Sequence, residues 1–93
     1  MKTVSVIIPA YNEERGIKNV LDTVSAVLTK TGVEFEIIVV DDGSSDGTAE
    51  ITRRSGVRLI EHDSNRGYGA SLKDGIREAR NDYILILDAD GTC

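Results

Sequence analysis

Positive charge, long apolar runs and cysteine are all scarce in this chain of 93 residues. Eleven Lys and Arg stand against 16 Asp and Glu, a formal net charge of −5. Nucleic-acid surfaces need clustered basic side chains to meet the phosphate backbone, so that class of partner is excluded. No apolar run approaches the roughly 18–20 residues that a membrane-spanning helix needs. The opening MKTVSVIIPAYNEE meets charge and a strand pattern too soon for a secretory leader. Cys93, the one cysteine, cannot close an internal disulfide, and a reducing cytoplasmic setting is the expectation. Repeats, low-complexity tracts and linkers are missing as well, so residues 1–93 are expected to form one small domain.

What is present alternates between strand and helix patterns. Residues 4–10 (VSVIIPA) are apolar and β-branched, and Pro9 is expected to stop that strand because it has no N–H for the ladder. Ile17, Val20, Leu21, Val24, Val27 and Leu28 then recur at helical spacing, with Gly32 placed for a left-handed C-terminal turn. A second strand is expected over 36–40 (EIIVV) and a short helix over 48–54. A third strand follows at 57–61, then a helix marked by Leu72, Ile76 and Ala79, and a fourth strand at 83–87 (YILIL). This alternation predicts an α/β fold: a three-layer, Rossmann-like parallel sheet of about four strands with right-handed crossovers. EIIVV and YILIL lack polar alternation, as strands covered on both faces do.

In such sheets ligands sit beyond the carboxyl ends of the strands. PAYNEE, DDGSSDG and DADGT all fall there. Asp41 and Asp42 fit a turn, with Gly43 at positive φ and Ser44, Ser45 and Asp46 capping the next helix. One acid serves that turn, which leaves the second able to accept bonds from a nucleobase amide or ribose hydroxyls. Asp88 and Asp90 fit either a strand-end cap or a shared hard cation, since Mg²⁺ takes one or two carboxylates and completes its shell with water and phosphate. Repulsion among four nearby acids favours the cation. The stretch NRGYG, Asn65 to Gly69, precedes a helix and reads equally as a turn with a helix start or as an anion site. PAYNEE carries none of the glycines that a dinucleotide fold places after its first strand, which excludes a nicotinamide or flavin dehydrogenase. His62, the only histidine, is expected on the surface or in a turn.

Two resemblances compete for ILILDADGT. It is similar to the first motif of haloacid-dehalogenase-type phosphohydrolases, in which Asp88 would be the nucleophile and Asp90 the general acid/base. That motif opens the catalytic domain of its family, however, whereas here it follows eighty-odd residues that the reading leaves unexplained. The segments VSVIIPAYNEERGI, EIIVVDDGSSDGTAEI and NRGYGASLKDGIREARNDYILILDAD together resemble the family 2 glycosyltransferases of the GT-A fold. The nearest likeness is to the branch that transfers hexose to polyprenyl phosphate, the dolichyl-phosphate mannosyltransferase-like proteins. Four motifs in order, over residues 3–92, make this the more specific match.

The resemblance implies a strand order of 3-2-1-4 and a donor site for a GDP- or UDP-hexose. Pro9, Ala10, Tyr11, Asn12 and Glu13 would line the nucleotide pocket, with Tyr11 beside base or ribose and Asp42 recognising the base. Asp88 and Asp90, with Ala89 between them, would be the DxD pair that holds Mg²⁺ or Mn²⁺ on the diphosphate. Arg66 and Lys73 would contact the phosphates. In mannosyltransferases of the branch a glutamine two residues past the second aspartate helps bind the metal; Thr92 stands there in this chain. The resemblance further implies a nucleotide-binding half, inactive by itself, whose full-length relatives use a polyprenyl phosphate acceptor at the cytoplasmic face of a membrane. With that order strand 83–87 becomes an apolar edge, and a homo-oligomer formed through it is expected. A ligand-free assembly module is the alternative.

Overall fold

The structure, a computed structural model, describes residues 2–90. Gly91, Thr92 and Cys93 lie outside that range, and with them the Thr92 departure and the lone thiol. Seven elements follow the expected alternation: β1 (Thr3–Ala10), α1 (Ile17–Thr31), β2 (Glu34–Asp41), α2 (Thr48–Arg54), β3 (Arg58–Glu61), α3 (Tyr68–Glu78) and β4 (Tyr83–Ile86). The strands form one sheet in the order β3-β2-β1-β4, and every pair is parallel.

Side chains on successive strand residues point to opposite faces, and this splits the core in two. Val6 and Ile8 of β1 join Ile37 and Val39 of β2 against Ile17, Val20 and Leu21 of α1. Ile7, Ile38 and Val40 face the other way, toward Leu72 of α3. Both central strands are therefore apolar on both faces, which accounts for the continuous runs in their sequence. Gly75 lets α3 lie close to the sheet: a Cβ there would stand 2.5 Å from Ile7 Cγ2. Gly32 ends α1 with φ of 77°, the left-handed turn expected of it.

Two expectations need correction. Pro9 does not stop β1, which continues to Ala10 with Pro9 in register with Val40. The reason lies in which neighbour each residue faces. Leu87 N–H donates to the Ile7 carbonyl at 3.0 Å on the β4 side, and Asp42 N–H donates to the Ala10 carbonyl at 2.9 Å on the β2 side. Alternate residues face alternate neighbours, so the N–H that Pro9 lacks would point toward β4, where pairing ends at Ile7 and Ile86. The second correction concerns β4 itself. Its composition reads as a strand covered on both faces, whereas Tyr83, Ile84, Leu85 and Ile86 are 36–53 % exposed at the sheet edge, the position that the order 3-2-1-4 implied for it.

Candidate functional site

The carboxyl ends of β1, β2 and β4 open on a cavity of about 370 Å³. From the β1 end come Pro9, Ala10, Tyr11 and Glu13, from β2 Asp42, and from β4 Asp88, Ala89 and Asp90. The far wall is Asn65, Gly67, Tyr68 and Ser71. This wall was open to two readings in the sequence, and the topology explains its place. β3 lies at the sheet edge, but α3 packs back onto β1 and β2, so the loop between them crosses over the mouth.

Asn12 does not line the cavity; it shapes the loop that does. With φ of 52° it occupies the left-handed region, which asparagine tolerates better than most residues. Its Oδ1 accepts the Ser45 amide at 2.9 Å, and its own amide donates to Ser44 Oγ at 2.8 Å. Further along, the Glu13 amide donates to Thr48 Oγ1 at 2.9 Å and the Gly47 amide to Glu14 Oε2 at 2.9 Å. The PAYNEE loop is thus laced to the DDGSSDGT loop by side chains of both. The cap of α2 differs in detail from the expected one. Asp46 alone accepts the Thr48 amide, at 3.0 Å, while Ser44 and Ser45 turn to Asp41 and Asn12.

Asp41 and Asp42 are both buried, and they serve opposite sides. Asp41 accepts the Ser44 amide and hydroxyl, which closes its own turn. Gly43, at φ of 77°, carries the chain past Ser64, whose backbone would lie 2.6 Å from any Cβ. Asp42 reaches across to the far wall. Its Oδ1 accepts the Arg66 amide at 2.8 Å and its Oδ2 the Gly67 amide at 2.9 Å. His62 Nδ1 stands 2.8 Å from Asp42 Oδ1, and Nε2 stands 2.7 Å from Asp74 Oδ2 on α3.

His62 is therefore not a surface histidine; it is 7 % exposed and held between two carboxylates. Burial would push the Asp42 carboxyl up, but bonds from His62 and the two amides outweigh it and hold it below the ordinary range. The bond to Asp42 raises the His62 imidazole above its usual value against the effect of burial, and the Asp74 bond adds to the rise. The repulsion expected among the acids is thus partly relieved within the chain.

Asp88 is half-buried and Asp90 exposed, both on the cavity, with Ala89 buried between them. Among the described residues no group of three or more His, Cys, Asp or Glu comes together as a metal cluster. Two carboxylate-bearing residues on one cavity are the hard-oxygen set that Mg²⁺ or Mn²⁺ accepts from a protein when phosphate supplies the rest. Lys73 is exposed on α3 and Arg66 offers its backbone amide to Asp42; neither lines the cavity. Among the described residues no helix is long and apolar enough to cross a membrane.

A family model described as glycosyl transferase family 2 matches residues 5–93. The chain is 38 % identical over 96 residues to an undecaprenyl-phosphate 4-deoxy-4-formamido-L-arabinose transferase of Aeromonas hydrophila, covering 97 % of this chain and 29 % of that protein. It is also 38 % identical to a dolichyl-phosphate beta-glucosyltransferase of Dictyostelium discoideum, covering 94 % and 30 %. Among solved structures, the mannosyltransferase PcManGT of Pyrobaculum calidifontis, in complex with GDP-Man and Mn²⁺, superposes with a TM-score of 0.82 at 32 % identity, covering 96 % of this chain and 28 % of that one. S. aureus TarS in complex with UDP-GlcNAc gives 0.84 at 32 %, covering 97 % and 27 %. The chain spans about 30 % of the length of the curated relatives it matches.

Proposed function

The chain belongs to glycosyl transferase family 2, with the α/β sheet of the GT-A fold, and from that premise we propose that its cavity binds the nucleotide diphosphate of a GDP- or UDP-hexose. It would serve as the donor-binding part of an enzyme that passes the hexose to a polyprenyl phosphate at the cytoplasmic face of a membrane. One observation carries the reading: Tyr11, Asp42, Asp88 and Asp90, from three separate loops, line a single cavity at the carboxyl edge of the sheet. The relatives named above for undecaprenyl and dolichyl phosphate, and the neighbours that hold GDP-Man or UDP-GlcNAc, support it.

In this reading Tyr11 lies along the base or ribose, and Asp42 presents what acceptor capacity its internal bonds leave. Asp88 and Asp90 hold the divalent cation. When bound, such a cation stabilises the negative charge that develops on the departing diphosphate. A polyprenyl phosphate is already largely anionic near pH 7, its second pKa being about 6, so its oxygen attacks without a strong base. Binding of the donor, rather than turnover, is the property given to these 93 residues.

Titration calorimetry of the folded chain with UDP, GDP, UDP-glucose and GDP-mannose in the presence of Mn²⁺ tests this. Heat with one base and not the other names the donor class. No heat with any of them would leave the ligand-free assembly module as the better description. Asp90→Ala should weaken metal-dependent binding about tenfold or more, as loss of a metal-site group does.

A further inference from the structure

Nothing above uses His62, although it is the one buried imidazole of the chain and lies directly behind the cavity. Both of its ring nitrogens face carboxylate oxygens, Asp42 Oδ1 at 2.8 Å and Asp74 Oδ2 at 2.7 Å. An ionised carboxylate only accepts, whereas a neutral imidazole offers one donor and one lone pair. A neutral ring would turn its lone pair on one of the two oxygens. A proton on Asp42 fares no better, because both of its oxygens already accept backbone amides from Arg66 and Gly67. A proton on Asp74 would fall on a carboxylate that its bond to the ring holds below the ordinary range. Two N–H donors on the ring satisfy every contact.

We propose that His62 is a positioning residue of the nucleotide cavity: held as an imidazolium between Asp42 and Asp74, it fixes the Asp42 carboxylate and, through it, the wall formed by residues 65–68. The inference rests on the donor-binding reading given above. Four charged groups bear on the ring. Asp42 faces it from the end of β2 and Asp74 from α3; Arg66 opposes its charge from the loop, and Arg77 stands 3.8 Å from Asp74. The two acids outweigh the one facing cation, and the raised affinity of the ring for its proton agrees with that balance. Deprotonation would break one of the two bonds, free Asp42 to rotate, and loosen the amides of Arg66 and Gly67 that Asp42 holds.

Two substitutions separate the bonds. An asparagine amide can stand where Nδ1 is and donate to Asp42; a glutamine amide can stand where Nε2 is and donate to Asp74. His62→Gln should therefore weaken UDP-glucose or GDP-mannose binding, measured with Mg²⁺, about tenfold, the usual effect of losing one charge-assisted hydrogen bond. His62→Asn should bind more tightly than His62→Gln. Because His62 is the only histidine, its ring nitrogens can be followed in the unchanged, ¹⁵N-labelled chain without assignment ambiguity. Both should be protonated at pH 7, and saturating nucleotide sugar should shift the ring's titration to higher pH. A neutral single tautomer at pH 7, a titration that the nucleotide sugar does not move, or equal affinity in both variants and the unchanged chain would each overturn the role of His62 while leaving donor binding intact. Absence of binding by the unchanged chain would remove the donor reading itself, and this inference with it.

Discussion

Asp41 and Asp42 are neighbours in sequence with opposite duties, one closing its own turn and the other gripping the far loop. Asp42, with other hydrogen-bonded acids and His62, sets the pH response of the fold. Burial pushes the carboxyls of Asp42, Asp46 and Glu36 up, but hydrogen bonds outweigh it and all three lie below their ordinary values. Asp74 is lowered chiefly by its bond to His62. A lowered carboxyl contributes stability that is present above its unfolded value, about 4, and is lost as pH falls through the folded one. His62 has the opposite sign: its contribution is complete below about 6.5 and is lost as pH rises through its raised folded value. The thermal midpoint followed by circular dichroism should therefore peak between about pH 4.5 and 6.5 and fall on both sides. His62→Gln should lose the alkaline fall; an unchanged alkaline limb in that variant would count against the assignment. The acids of the site were legible as residue types at strand ends. Asp74 on α3 and the bonds of His62 were not, because His62 meets Asp42 and Asp74 across 20 and 12 residues of sequence, a separation that no local pattern encodes.

At the level of elements, the four strands and three helices appear in the order that periodicity gave, since each apolar stripe has a matching face to bury. What periodicity could not supply was burial by neighbours outside the segment. YILIL has the composition of a covered strand, and only the strand order reveals it as an edge. Unpaired apolar edges invite pairing with other chains. We expect the 93-residue chain to self-associate through β4 at micromolar concentration, and Leu85→Lys to return it to monomer; a monomeric unchanged chain by light scattering would remove this expectation. Contact between α3 and the sheet makes a second test. Gly75→Ala would gain roughly 1 kcal/mol of helix propensity. Its Cβ, however, would stand 2.5 Å from Ile7 Cγ2 and 3.3 Å from Val40 Cγ2, on fully buried β-branched side chains that cannot turn away. Overpacking of this kind costs about 1–3 kcal/mol, so the urea midpoint should fall.

Across the whole molecule the two ends of the sheet do different work. At the amino end, Glu36 gathers the Ser5 hydroxyl at 2.6 Å, Arg58 at 2.9 Å and the Arg80 amide at 2.7 Å, which ties β1, β2, β3 and the approach to β4 together. The carboxyl end is left to loops and the cavity. Convergence of PAYNEE, DDGSSDG and residues 88–90 on that end was legible from the parallel topology alone. The contribution of Asn65, Gly67, Tyr68 and Ser71 was not, because it depends on α3 folding back over the two central strands.

The rung that Pro9 withholds falls beside the cavity, which Pro9 itself lines. After the Leu87 bond to the Ile7 carbonyl the next donor on β1 would be the N–H that Pro9 lacks, and the register of β1 with β4 ends at Ile7 and Ile86 while Ala10 and Asp88 beyond it line the cavity. Pro9→Ala should supply the missing donor to the Leu87 carbonyl, lengthen the β1–β4 ladder by one rung and narrow the cavity at that side. The expected signature is a newly protected amide at position 9 in hydrogen exchange, together with weaker nucleotide-sugar binding in a chain no less stable than before. A position-9 amide that exchanges freely would show that the strands diverge for another reason.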